Sequence, residues 1–207
     1  MTTQTDSTRD HILTTGRALV AQRGFTGMGL AELLKTAAVP KGSFYHYFAS
    51  KEDFGCKLLE QYIGQYGKTL TEILEDSAPT ARARLLEYWS RWGSSQSSQE
   101  ANSQCLIGKL GAEVSDISEE MRRLLEAGTR TMTTQLASTI AEGQQDGSSA
   151  TSVQPALVGP ALYQMWLGAS LMAKQSRSAD PLLQAMEATQ ALMPEPHPEP
   201  EPTSPNT

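Results

Sequence analysis

The side chains best suited to binding a nucleic acid lie in one short stretch, from Lys41 to Phe48. Hydroxyl and ammonium groups bind phosphates, and residues at the start of a recognition helix reach the edges of bases. Phe44 and Phe48 are four residues apart, on one helical face, and are expected to be core residues. The other side chains are too polar to be buried together without partners; they are Lys41, Ser43, Tyr45, His46 and Tyr47. The stretch therefore indicates a helix that reads DNA, and a plain helical hairpin with an aromatic core is the alternative.

Cys105 is the second residue whose position suggests chemistry, because it follows a polar segment, 93–104, and opens a short apolar run. We expect that run, from Cys105 to Val114, to be a helix. A helix N-terminus and a nearby cation both lower the pKa of a thiol, and Lys109 is one turn further on, within reach. A thiolate formed in this way can attack an electrophile or be oxidised to a sulfenic acid. The alternative is that Cys105 is a small buried apolar residue, as free cysteines usually are.

The residues around the first stretch predict the helices and the turn that would position it. Apolar residues with helical spacing predict one helix that begins after Gly29; they are Leu30, Leu33, Leu34 and Ala37. Pro40 ends that helix at the residue before it and can open the next one. Ser50, with an aspartate three residues on, has the spacing of a helix cap. It predicts that another helix begins directly after it, following the two helices of the turn. An earlier helix is expected over about 7–23, with Gly24 at its end.

Helical periodicity continues through the rest of the chain, so we predict an all-α fold. The further helices are expected at about 51–76, 81–92, 105–114, 119–142, 155–174 and 180–192. They divide the chain into an N-terminal three-helix helix-turn-helix domain (1–54), a helical bundle for sensing and dimerisation (55–193) and a tail (194–207). The last two helices are apolar enough to form a homodimeric four-helix interface. The tail is rich in proline and acidic residues, and we expect it to be disordered.

The distribution of charge permits nucleic-acid binding. The 207-residue chain has a net charge of −6, yet residues 1–60 carry seven Lys or Arg against six Asp or Glu. The more basic end therefore coincides with the stretch expected to read DNA. The charge excess is small, so phosphate contacts in a dimer should supply much of the affinity, which should fall with salt.

Composition also restricts the compartment and the cofactors. No signal peptide and no apolar run of about 18 residues is recognisable, so we expect no membrane partner. Two cysteines do not make a disulfide scaffold, which predicts a cytoplasmic protein with reduced thiols. Only three histidines are present and no ligand-spaced cluster accompanies them. We therefore expect neither a metal site nor a cofactor.

The segment 24–54 resembles the DNA-binding domain of the TetR family of one-component repressors. The matching residues are Gly24-Phe25, Ala37-Ala38-Val39, Gly42, Tyr45, Tyr47-Phe48 and Ser50-Lys51-Glu52. The resemblance implies a recognition helix over 41–47 and a phosphate contact at Lys51. It also implies which residues approach DNA, namely Gly42, Ser43, Tyr45 and His46. The chain departs from the family pattern at Met28-Gly29, where Thr or Ser is usual, and at Ala38, where Gly is usual.

Two further segments, 104–123 and 162–178, resemble one branch of this family, whose members sense reactive electrophiles and hypochlorite-type oxidants. The resemblance implies that Cys105 is the sensor and that Lys174 is its nearby partner, whose amine would close a sulfenamide-type link to an oxidised sulfur. Ser115 stands where that branch has a second cysteine, so the resemblance leaves sensing by a single cysteine. Without the resemblance, Lys174 is simply a lysine favoured by the end of a helix.

Taken together, the residues and the resemblance predict a homodimeric transcriptional repressor without catalytic residues. It would bind a palindromic operator whose half-sites are about one helical turn apart, or somewhat more. Modification of Cys105 by hypochlorite, quinones or aldehydes would favour a state that binds DNA less well, and detoxification genes would then be expressed. Cys56, in the helix expected from residue 51, would pack in the core or act as a resolving thiol.

Three alternatives stay open at this point. The first is a repressor induced by a noncovalent hydrophobic ligand in a pocket lined by bulky side chains; these are Trp89, Trp92, Tyr163, Met165 and Trp166. The second is an enzyme with Cys105 as its nucleophile, which would need a base, although no histidine lies between His46 and His197. The third is a helical interaction module that does not bind DNA.

Overall fold

The computed structural model describes residues 4–77, 79–97, 106–150 and 152–196. Over these ranges the chain forms nine helices and no strand, which confirms the predicted all-α fold. The helices are α1 (Gln4–Gly27), α2 (Leu30–Thr36), α3 (Lys41–Tyr47), α4 (Lys51–Leu74), α5 (Ala81–Ser97), α6 (Leu106–Ile117), α7 (Glu119–Gln145), α8 (Pro155–Ser176) and α9 (Asp180–Leu192). Among the described helices, none is both long enough and apolar enough to cross a membrane.

α1 buries its apolar stripe and is interrupted at Gly24. The buried stripe consists of Ile12, Leu13, Leu19 and Val20. Gly24 has a φ of 79° and a ψ of 172°, after which the helix resumes and ends at Gly27. Glycine tolerates this positive φ because it has no Cβ. The predicted end at Gly24 is thus a kink, and α1 begins at Gln4, earlier than expected.

α2 and α3 form the predicted helix-turn-helix. Gly29 is the N-cap of α2, and α3 has the predicted bounds of the recognition helix. The turn between them passes through Ala38, whose φ of 51° lies in the left-handed region. An alanine in this conformation costs about 1 kcal/mol relative to glycine, the residue that the TetR pattern has at this position.

α4 joins the helix-turn-helix to the rest of the molecule. Its cap is reciprocal: the Ser50 hydroxyl accepts from the Asp53 N–H at 3.0 Å, and the Asp53 carboxylate accepts from the Ala49 N–H at 2.9 Å. The helix then runs to Leu74, through the domain boundary expected at residue 54. It packs on α1, α5 and α7. One helix thus connects the two ends of the fold.

α5, α7, α8 and α9 pack into a bundle. Ser118 caps α7 as its sequence position suggests, because its hydroxyl accepts from the Met121 N–H at 3.2 Å. α5 continues to Ser97, so the expected loop over 93–104 is helical in its first five residues. Gly93 lies beside Trp166, and this packing outweighs the low helix propensity of Gly and Ser.

The start of the expected tail is packed against the bundle. Met193 is fully buried, and the Pro194 carbonyl accepts from the Ala150 N–H at 3.1 Å. The Arg82 guanidinium donates to the Met193 carbonyl at 2.8 Å and pairs with Glu195 at 3.1 Å. The prediction of disorder from residue 194 is therefore wrong for Pro194 and Glu195, because Ala150 binds the first and Arg82 pairs with the second. Residues 197–207 lie outside the described part of the chain.

Candidate DNA-binding and regulatory sites

α3 divides its side chains between the core and the surface. Phe44 and the following Phe48 are 0% and 1% exposed, and both rings pack against Phe54. Four residues of the stretch are exposed, namely Lys41, Gly42, Tyr45 and His46. Ser43 and Tyr47 are half-buried. The two phenylalanines are thus confirmed as core residues, whereas Lys41, Tyr45 and His46 are exposed and Tyr47 packs against the edge of the core.

The exposed face of α3 presents a cation, hydroxyl groups and an imidazole. The Lys41 ammonium lies 5.8 Å from the centre of the Tyr45 ring, one turn further along. The rings of His46 and Tyr47 meet edge to face, with their centres 4.8 Å apart. These groups can bind phosphates and the edges of bases, and the phenylalanines behind them hold the helix in place.

Lys51 lies in the first turn of α4 and contacts the end of α1. Its ammonium is 3.4 Å from the Thr26 carbonyl and 5.0 Å from the centre of the Phe25 ring. The cation is therefore held beside the helix-turn-helix, at the helix end whose dipole favours an anion. This arrangement can hold a phosphate next to the exposed face of α3.

Cys105 lies outside the described residues, and the described chain resumes at Leu106, the first residue of α6. The Leu106 N–H donates to the Tyr62 hydroxyl at 3.2 Å, which joins the start of α6 to the middle of α4. The Tyr62 ring stacks 6.1 Å from that of Tyr66, at the edge of an aromatic cluster. The residue directly after Cys105 is therefore held by a buried contact with the core.

Lys109 is engaged with α1. Its ammonium donates a hydrogen bond to the Ala21 carbonyl, so this charge is directed towards the helix-turn-helix. Burial lowers the pKa of Lys109, and the positive charge of Lys174 lowers it further. Lys174 itself is exposed in the last turn of α8. α8, which carries Lys174, packs on α6, the helix that begins directly after Cys105.

Glu113 is a further residue of this region, which the sequence does not reveal. Its carboxylate accepts from the Phe25 N–H at 3.1 Å and from the Thr26 N–H at 2.6 Å. Both donors follow Gly24, where the break in α1 deprives them of partners within the helix. Burial raises the pKa of Glu113, but the hydrogen bonds from Thr26 and Phe25 outweigh burial, so that the pKa lies below its usual value.

Cys56 is a core residue of α4. It is 3% exposed, and burial raises the pKa of its thiol to about 11, with smaller contributions from the nearby carboxylates of Glu120 and Glu52. With such a pKa, roughly one side chain in ten thousand is a thiolate at neutral pH, and the thiolate is the form that reacts. The packing interpretation is thus confirmed, and the resolving role is disfavoured.

The aromatic residues expected to line a ligand pocket pack against one another instead. Trp89 and Trp166 stack with their ring centres 5.1 Å apart and their planes 8° apart. The Trp166 N–H donates to the Thr189 hydroxyl at 2.9 Å, and the Trp92 N–H donates to the Ser170 hydroxyl at 2.8 Å. The prediction of a pocket among these rings is wrong, because the rings cover one another's apolar faces. A groove of about 800 Å³ lies elsewhere, between α4 and α7.

The helix-turn-helix and the helical bundle each match a known protein family. Residues 12–54 match the family described as "Bacterial regulatory proteins, tetR family", and residues 81–189 match "Tetracyclin repressor-like, C-terminal domain". Together they cover most of the chain and define a one-component DNA-binding regulator. The chain belongs to the TetR family.

Individual relatives indicate which kind of TetR-family regulator this chain resembles. The HTH-type transcriptional repressor NemR of Escherichia coli (strain K12) is 45% identical over 179 residues, which are 86% of this chain and 90% of NemR. The HTH-type transcriptional repressor DhaR of Mycobacterium sp. (strain GP1) is 32% identical over 187 residues, 90% of this chain and 92% of DhaR. A crystal structure of E. coli NemR in its reduced form matches with a TM-score of 0.87 and 45% identity, covering 92% of this chain and 98% of that chain. The protein is therefore a transcriptional repressor similar to NemR, in a family whose members bind operator DNA and act as dimers.

Proposed function

We propose that the exposed face of α3 reads the operator and that Lys51 holds a phosphate beside it. The support is the division of α3 into a buried aromatic side and an exposed polar side. The residues proposed to contact DNA are Lys41, Gly42, Ser43, Tyr45, His46, Tyr47 and Lys51. In a dimer, two such helices enter the major groove about one helical turn apart or somewhat more.

α8 and α9 form the proposed dimer interface. Leu157, Gln164, Gly168 and Leu171 recur at nearly heptad spacing along α8, and all four are exposed. Leu171 of α8 and Leu183 of α9 are 56% and 61% exposed. Exposed leucines on two helices that pack together indicate a surface that binds protein, and a glycine in the stripe allows a second helix to approach closely.

Modification of Cys105 by an electrophile or an oxidant releases the operator in this proposal. The observation that carries it is the position of Cys105 directly before α6, a helix held by Tyr62 at its start and packed on α1 along its length. A modified side chain adds volume or charge at that point. It then favours a state with lower operator affinity, which is all that release requires.

Lys174 is the proposed partner of an oxidised Cys105. The thiolate takes a chlorine from hypochlorous acid and releases hydroxide, and the Lys174 amine then attacks the sulfur. Chloride leaves, a proton is lost, and a sulfur–nitrogen bond has formed. The support is the packing of α8 on α6, together with the positive charge of Lys174, which lowers the pKa of Lys109. Alkylation of the thiol needs no amine, so the two reactions separate the roles of the two residues.

The experiment measures operator binding by fluorescence anisotropy before and after N-ethylmaleimide or hypochlorite, with the promoter of the protein's own gene as the probe. We expect wild type to release DNA with both reagents and Cys105→Ser to release it with neither. Cys56→Ser is the matched control and should respond like wild type. Lys174→Met should keep the response to N-ethylmaleimide and lose most of the response to hypochlorite. Release from Cys105→Ser would show that the switch lies elsewhere.

Induction by a noncovalent hydrophobic ligand is the second candidate, and the groove between α4 and α7 favours it. Ile63, Leu124 and Met132 line the groove, and Gly64, Gly67 and Gly128 keep side chains out of it. A ligand of this kind would release the operator from Cys105→Ser as readily as from wild type. The response of that variant to a hydrophobic inducer therefore distinguishes the two candidates.

A further inference from the structure

The break in α1 at Gly24 exchanges a hydrogen bond within that helix for two bonds to α6. In a continuous helix the Phe25 N–H would donate to the Ala21 carbonyl, four residues earlier. Here the Phe25 N–H donates to the Glu113 carboxylate at 3.1 Å, and the Ala21 carbonyl accepts from the Lys109 ammonium. Lys109 and Glu113 are four residues apart and share one face of α6. α6 thus offers a cation to one end of the broken helix and an anion to the other.

We propose that Lys109 and Glu113 form a two-point clamp, the α1–α6 clamp, through which α6 sets the position of the helix-turn-helix. The closed clamp is the state that binds the operator, and displacement of α6 opens it. The proposal deepens the regulation described above, and the part that concerns displacement by a modified Cys105 rests on that proposed function. Lys109 and Glu113 are positioning residues, since neither is placed against DNA.

The position of the clamp explains how it reaches the DNA-binding face. α1 ends at Gly27 and α2 begins at Leu30, so the clamp holds the chain where it enters the helix-turn-helix. The Thr26 N–H donates to Glu113 at 2.6 Å, while the Thr26 carbonyl lies 3.4 Å from the Lys51 ammonium. Withdrawal of Glu113 therefore frees Thr26, and Lys51 loses a neighbour that fixes it beside α3.

The elements around the clamp approach one another closely. A Cβ added at Gly24 would lie 2.7 Å from a carboxylate oxygen of Glu113. A Cβ added at Gly55 of α4 would lie 2.0 Å from the methyl carbon of Met121, at the start of α7. An opened clamp also leaves backbone groups of α1 unpaired until water reaches them, which favours the closed state.

The first test compares operator Kd values in the reduced protein for wild type, Glu113→Gln and Lys109→Met. Glu113→Gln keeps the size of the side chain but offers one neutral acceptor oxygen in place of a carboxylate. We expect each substitution to raise the operator Kd about tenfold, within the usual range of a coupling between two sites. Asp116→Asn is the matched control, because it makes the same charge change at an exposed position of the same helix. Its operator Kd should equal that of wild type.

The second test follows hydrogen exchange at the Phe25 and Thr26 amides. Exchange should be slow in the reduced wild type, and faster in wild type alkylated with N-ethylmaleimide and in reduced Glu113→Gln. The rate at which N-ethylmaleimide modifies Cys105, followed by mass spectrometry, should be the same in wild type and both clamp variants. Equal rates show that the substitutions act after the chemical step, and equal melting temperatures show that they leave the fold intact.

The outcomes separate the clamp from the cysteine assignment. Wild-type operator affinity in either Glu113→Gln or Lys109→Met would overturn a clamp that needs both points. Slow exchange at both amides in an alkylated protein that has released DNA would overturn it as well. If only the assignment of Cys105 fails, alkylated wild type keeps its DNA, while the reduced clamp variants still bind the operator about tenfold more weakly.

Discussion

The recognition helix and the α8–α9 pair both present side chains that the monomer does not bury, but these are of opposite character. α3 exposes a lysine, a tyrosine and a histidine on one side, and buried phenylalanines support it on the other. α8 and α9 expose aliphatic side chains, which are Leu157, Leu171, Met172, Leu183 and Leu192. The first surface suits a charged polymer and the second suits another copy of the chain.

The difference teaches that exposure, more than composition, indicates the kind of partner. α3 is as aromatic as a core helix, yet Phe44 is fully buried while the adjacent Tyr45 is 49% exposed. α8 is as apolar as a core helix, yet Leu157 is 65% exposed. Each surface can be tested by substitutions that leave the other intact.

The largest effect is expected from charges placed on the α8–α9 surface. The double variant Leu171→Glu/Leu183→Glu brings four carboxylates together in a dimer, so it should be a monomer. Its operator Kd should rise about 10²- to 10⁴-fold, because the two half-sites are no longer bound together. Sedimentation measures the first effect and fluorescence anisotropy the second. Ile117→Glu, at an exposed apolar position of α6, is the control and should stay dimeric. A dimeric double variant would place the interface elsewhere.

The next largest effect is expected from the buried phenylalanines that support α3. Phe44→Ala should lower the free energy of unfolding by about 3–5 kcal/mol, because a buried phenylalanine leaves a cavity. Urea unfolding followed by circular dichroism measures this change, and Phe44→Leu should be affected much less. Normal stability with lost operator binding would instead mean that Phe44 acts on DNA directly.

Tyr45→Ala should have the reverse pattern of effects. Its operator Kd should rise about tenfold, the cost typical of a lost base or phosphate contact, while sedimentation and urea unfolding should match wild type. Tyr45→Phe keeps the ring and tests the hydroxyl alone. An unchanged operator Kd in Tyr45→Ala would remove this residue from the DNA-binding face.

The smallest effect is expected at two residues whose backbone is strained, one near each of the two surfaces. Ala38, beside α3, and Arg177, after α8, both have a positive φ, of 51° and 53°. Glycine at either position should raise the free energy of unfolding by about 0.5 kcal/mol, because relief of strain slightly exceeds the greater entropy of the unfolded chain. Thermal melting of Ala38→Gly and Arg177→Gly measures this gain. A loss of stability at one position would show that the replaced side chain makes a contact that stabilises the fold by more than the strain destabilises it.

Local sequence signals were sufficient for most of the fold. The caps at Ser50 and Ser118 each join residues three positions apart, so local spacing is enough to predict the helices that they begin. The extension of α5 to Ser97 was missed because it depends on packing against Trp166. Composition described that segment as a loop, and tertiary contact made part of it a helix.

The regulatory site was less predictable, because its contacts join distant parts of the chain. The hydrogen bond between Thr26 and Glu113 spans 87 positions, and the one between Leu106 and Tyr62 spans 44. The sequence predicts a helix end at Gly24, but it does not show that a carboxylate from α6 accepts from the amides that follow. Likewise, Lys109 was expected near Cys105 on spacing, whereas the fold gives it the Ala21 carbonyl.

α4 has a mechanical consequence for how DNA is released. The helix has 24 residues and is therefore about 36 Å long, with the Tyr62 contact to α6 near its midpoint. A tilt of about 5° around that pivot moves the DNA-proximal end by about 1.6 Å. Twofold symmetry doubles this to about 3 Å between the two recognition helices, close to the rise of one base pair. A tilt of this size in α4 is therefore enough to create a mismatch between the two recognition helices and the operator's helical repeat.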